Sequence, residues 1–173
     1  MISSSISRIF LTLAIIALQT VVLNHIHIFG YATPMICVYL IITLPLNTPR
    51  PTVLTWGFLV GLIQDIFANT PGVMAATLTL VAMMHSGLLM VLGGRDKDDK
   101  DEGVIPSIKT LGTMPFLRYA GGAVLIETIV FYLLMIFNFA APLDTVINIA
   151  GSSVLSFLII WFIESIRSNY VKR

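Results

Sequence analysis

The sequence predicts an all-α integral membrane protein of six transmembrane helices, forming one domain over residues 1–173. Three observations carry that expectation. Hydrophobic residues make up 57% of the chain and charged residues only 11%, against about 25% charged in an ordinary soluble domain. The apolar residues gather in long runs that approach the roughly 20 residues needed to cross a bilayer. All ten lysines and arginines fall on one side of the bundle that six such runs would form.

The first run covers 9–28 and follows Arg8. It is too long for the apolar core of a cleaved leader and no small-residue cleavage site follows it, so a retained span is expected. The second covers 31–46 after Phe29-Gly30, and the third covers 53–67 after Asn47-Thr48-Pro49-Arg50-Pro51. Asn69-Thr70-Pro71-Gly72 then turns the chain into the fourth run, 73–92. Runs five and six cover 116–139 and 146–166, separated by a short connection holding Pro142 and Asp144. Continuous runs of this length satisfy their own backbone as helices, whereas a closed barrel needs short alternating strands.

Only the connection 93–115 is long. Its stretch from Arg95 to Glu102 holds five acids against three bases, and it reads as a solvated cytoplasmic acidic loop. Arg8, Arg50, the cluster from Arg95 to Arg118, and Arg167 to Arg173 all lie on the loop side, while the opposite connections hold no Lys or Arg. The positive-inside rule makes the basic side cytoplasmic and puts both termini there. Trp56, Tyr119, Trp161 and Tyr170 sit near the same ends, where amphipathic rings are expected. A net charge of +1 offers no basic face for nucleic acid.

Charges at membrane depth are expensive and are functional candidates by default. Asp65 and Glu127 are the two such residues considered. At about 1.5 Å per residue, Asp65 lies roughly 22 Å from Arg50, in the outer third, and Glu127 about 14 Å from Arg118, near the middle. Neither has a Lys or Arg at its depth, so a neutral, hydrogen-bonding form is expected. His85, about 11 Å deep, falls near the level of Glu127 and is the partner the depths allow. His25 and His27 fall near the level of Asp65. Helix-to-helix hydrogen bonding is the expected role of these groups. No metal or other cofactor is expected, because His-x-His lacks helical ligand spacing. The serines at 3–5 and 152–153 have no base at a motif spacing, so no catalytic residue is assigned and an enzyme is not expected.

The third run is the most specific. Gly57, Gly61 and Asp65 recur every four residues and share one helical face. The glycines admit a close neighbouring helix, and Asp65 carries the face up to the Pro71-Gly72 turn. Two roles stand for Asp65: organising that turn, or receiving a donor from a partner that crosses the membrane.

Gly61-Leu62-Ile63-Gln64-Asp65-Ile66-Phe67, followed by Gly72 at the head of the next run, resembles the signature of the rod shape-determining protein MreD family. The resemblance covers chain length, six spans, cytoplasmic termini and a motif of about sixteen residues. It implies a non-enzymatic scaffold in the bacterial inner membrane, paired with MreC. It also implies a direct or indirect link to the MreB filament and the peptidoglycan-synthesising enzymes, within membrane lipid. The family's fold is said to resemble the S component of energy-coupling-factor transporters, which gives the alternative of a small-molecule-binding subunit. Such a pocket needs several converging polar groups, and few are expected from this sequence.

Overall fold

The computed structural model describes residues 2–21, 33–45, 48–94, 104–135 and 142–170. Seven helices occur among them: α1 (Ile2–Val21), α2 (Val38–Ile42), α3 (Arg50–Ala68), α4 (Val73–Leu92), α5 (Ile108–Leu111), α6 (Thr113–Met135) and α7 (Pro142–Tyr170). The described residues contain no strand. Four helices are long and apolar enough to cross a membrane: Arg50–Ala68, Val73–Leu92, Thr113–Met135 and Leu143–Ser168. The His25, His27 and Arg95-to-Glu102 expectations lie outside the described residues.

α3, α4, α6 and α7 pack as successive neighbours, α1 lies on α3, and the small α5 bridges α6 and α7. Large apolar side chains cover much of the surface, and the apolar core also encloses polar groups. Ile66, Phe67, Met83, Val91, Leu143 and Phe162 are exposed, while Gln19, Gln64, Asp65, Glu127, Ser152, Ser156 and Glu164 are buried. That distribution suits a bundle surrounded by lipid, where polar side chains join helices and apolar ones face out.

The expected continuous helix over 31–46 is replaced by something different. Residues 33–36 are non-helical, and α2 is a helix of five residues. Every residue from Met35 to Ile42 is buried, with α2 against α3, α4 and α6. The most completely buried element among the described residues is therefore a helix of little more than one turn. Pro34 has no N–H to give, and the neighbouring donors are taken by side chains of α1 and α7. Thr33 N–H donates to Ser152 Oγ (3.0 Å), Met35 N–H to Ser156 Oγ (2.7 Å) and Ile36 N–H to Gln19 Oε1 (2.8 Å), while Gln19 Nε2 donates to the Pro34 carbonyl (2.9 Å). Irregular backbone inside a membrane bundle is tolerated only where protein encloses and satisfies it in this way.

Candidate functional site

Two constellations gather the polar residues, one at the α3–α4 turn and one around residues 33–42.

At the turn, Asn69 ends α3 in the left-handed conformation (φ 54°) with its N–H on the Asp65 carbonyl, and Gly72 enters α4 at φ +84°. Asn and Gly tolerate this region. Pro71 stands between them, exposed. The reversal brings the Asp65 side chain onto the start of α4. Its Oδ1 accepts from Thr70 Oγ1 (2.9 Å) and Met74 N–H (2.9 Å), and its Oδ2 from Ala75 N–H (2.8 Å). Asp65 thus caps a helix that is not its own, filling a role that residue 72, a glycine, cannot fill. A carboxylate also suits the partial positive charge at a helix start. Of the two roles open for Asp65, the geometry matches the organisation of the turn.

The glycine face meets α4 of the same chain. A Cβ added at Gly57 would lie 2.8 Å from the Leu78 carbonyl oxygen and 2.9 Å from Ala82 Cβ; one added at Gly61 would lie 2.5 Å from both Ala75 Cα and the Met74 carbonyl oxygen. Gly57, Gly61 and Asp65 therefore form one seam, with two glycines bringing the backbones together and the carboxylate locking the end.

No family model, curated protein or solved structure matches the chain.

Around residues 33–42, the chain runs alongside α7 and in the same direction. Thr33 meets Ser152, Met35 meets Ser156, and Tyr39 Oη donates to Glu164 Oε2 at 2.7 Å. The twelve residues of α7 from 152 to 164 rise about 18 Å. Four extended steps and two helical ones, from 33 to 39, cover about 16 Å, so the contacts stay in register. Ser152, Ser156, Ile160 and Glu164 are all buried and lie four residues apart on one face of α7. Tyr132 Oη is hydrogen-bonded to Ser152 Oγ at 2.9 Å. Gln64 donates to the Ile16 carbonyl (3.2 Å) and accepts from Thr20 Oγ1 (3.4 Å), tying α3 to α1. Arg167 approaches both Glu164 Oε2 and Tyr39 Oη at 3.3 Å, closing the constellation at one end.

Sequence reasoning missed Gln19, Tyr39, Ser156 and Glu164. The signal was present in the four-residue stripe on α7, with Arg167 three residues beyond Glu164.

The contact between Glu127 and His85 that their depths allow does not form. His85 Nδ1 is instead hydrogen-bonded to Tyr119 Oη at 2.5 Å, with the rings edge to face. Tyr119 is correspondingly buried rather than placed at an interface. Glu127 has no exposed surface, and among the described residues neither carboxyl oxygen has a hydrogen-bond partner. An enclosed carboxyl without a partner costs stability. No group of three or more His, Cys, Asp or Glu residues among those described is placed to hold a metal ion.

Proposed function

We propose that this chain is a non-enzymatic scaffold of the bacterial inner membrane, acting in cell elongation in the position that the MreD family occupies beside MreC. Its contact with MreB and the peptidoglycan-synthesising enzymes is direct or passes through that partner. The carrying observation is the motif from Gly61 to Phe67 with Gly72: in the fold, these residues form a hairpin whose glycines, carboxylate and left-handed turn each perform a defined packing task. A scaffold needs such a preset surface, and interior polar groups that are mostly hydrogen-bonded to one another suit it. The reading includes six membrane crossings with both termini cytoplasmic, the segment containing α2 being a partly unwound crossing.

One observation favours a second reading, a subunit similar to the S component of energy-coupling-factor transporters. The interior holds more converging polar groups than expected, and Glu127 among them is unpartnered. Transporter sites also use unwound backbone and side chains near mid-membrane.

Isolation from mild-detergent extracts of native membranes, followed by mass spectrometry of the accompanying proteins, distinguishes the two. The scaffold reading expects a single-span MreC-type protein at near-stoichiometric yield and rounded cells on depletion. Recovery of an ATPase module without cell-wall proteins would overturn it.

A further inference from the structure

A groove of about 530 Å³ opens on the outside of the bundle between α6 and α7, with Leu92 of α4 at its edge. Its floor is apolar and shaped by small residues. Gly121 faces Phe157, and Gly122 faces Leu92, whose side chain occupies the space a Cβ would need. Leu125 and Val154 continue the lining and are exposed. Arg118 also lines the groove. It is exposed and belongs to the second turn of α6. Its guanidinium has no ion pair among the described residues, whereas Arg167 is paired with Glu164.

An apolar slot carrying a cation with no acidic partner among the described residues is complementary to a molecule with an anionic head and a hydrocarbon tail. From Arg118 to Leu125 the helix rises about 10 Å, which separates the charge from the apolar floor along the helix axis. We infer that this groove holds an anionic phospholipid, its phosphate on Arg118 and one acyl chain along Gly121, Gly122 and Leu125. The inference rests on the four long helices lying in a bilayer and is independent of the scaffold role. Basic pockets between helices near the cytoplasmic surface select anionic headgroups on the same physical grounds. Arg serves better than a point charge because its planar fork bonds two phosphate oxygens at once.

The test places a tryptophan reporter at Leu125 and reconstitutes the full chain, with Trp56 and Trp161 changed to Phe, into vesicles mixing phosphatidylcholine with phosphatidylglycerol. Bromine is carried on the acyl chains of one lipid at a time. Quenching gives the relative occupancy of the two lipids at the groove. With Arg118 present, phosphatidylglycerol is expected to be preferred by about fivefold, the selectivity of one cation at a membrane surface. Arg118→Gln should bring the ratio to about one, and Arg118→Lys should retain part of it. Lys109→Gln, which removes another exposed cation from α5, should leave the ratio unchanged. Equal preference in Arg118 and Arg118→Gln proteins, or an equal fall in Lys109→Gln, would overturn the inference, because attraction would then belong to the general surface. Near-equal quenching by the two lipids with Arg118 present would overturn it as well.

Discussion

Gly61→Ala adds one methyl group where α3 and α4 come closest. The new Cβ would lie 2.5 Å from Ala75 Cα and from the Met74 carbonyl oxygen, and 2.7 Å from Ala75 N. All three are backbone atoms, so no side-chain rotation relieves the overlap. Ordinary contact begins at 3.4 Å, so the helices must part by about 0.9 Å. A parting of that size along the Asp65 bonds would stretch them from 2.8 and 2.9 Å to about 3.7–3.8 Å, beyond hydrogen-bond range. The strain alone is worth about 1–3 kcal/mol, or roughly 2–12 °C of melting temperature for a chain of this size. Loss of the cap adds to it. Gly87→Ala is the control: it lies within α4, and a Cβ there meets nothing within 4 Å. Replacing glycine inside a helix then stabilises by about 0.5–1 kcal/mol. Thermal unfolding of both variants in one detergent, followed by far-ultraviolet circular dichroism, should show shifts of opposite sign. If Gly61→Ala melts with or above Gly87→Ala, the close seam between α3 and α4 is wrong.

Asp65→Ala leaves the Thr70, Met74 and Ala75 donors without their acceptor and should destabilise by about 2 kcal/mol, at the upper end of lost helix caps; Asp65→Asn should lose roughly half as much. The melting temperature and membrane abundance read this directly, and an unchanged abundance for Asp65→Ala would return the residue to a partner-facing role. Glu127→Leu should match or exceed the parent protein in thermal stability, because the carboxyl it removes is enclosed without a partner, and Glu127→Gln should not exceed Glu127→Leu. A clear loss of stability in Glu127→Leu would reveal a hydrogen bond to that carboxyl. For topology, single cysteines at Asn69 and Asp144 in a Cys37→Ala background should react with an impermeant thiol reagent added to intact spheroplasts, whereas one at Lys109 should react only after lysis; the reverse pattern refutes the orientation.

The hairpin was legible in the sequence because its determinants are local. Gly57, Gly61 and Asp65 repeat at the helical interval, and Asn69 to Gly72 stop one helix and start the next within four residues. The long apolar helices were legible for a similar reason, since hydropathy is summed along a contiguous run. The second run was not. It is apolar enough for a helix, yet its backbone is unwound through bonds to Gln19, Ser152 and Ser156, the last two more than 100 positions away. Nothing in 31–46 alone reports those partners. His85 and Glu127 were matched by depth along their helices, which ignores the direction each side chain faces. Tyr119 was assigned to an interface by its place near a helix end, although it turns inward to His85. Glu164, two residues from the end of the sixth run, was not considered, because its partner Tyr39 lies 125 positions away and nothing local reports it.

The enclosed α2 segment also constrains the order in which the protein is made. Thr33, Met35 and Tyr39 have partners on α7 that follow them by 119, 121 and 125 residues. At about 5–20 residues per second of synthesis, those partners emerge roughly 6–24 s after the groups they satisfy. During that interval the unwound segment cannot have its final surroundings, and its backbone donors need water, lipid headgroups or an insertion factor as temporary company. A nascent chain stalled before Ser152 lacks the α7 acceptors of Thr33, Met35 and Tyr39, so the α2 segment gains its final surroundings only once α7 has been made.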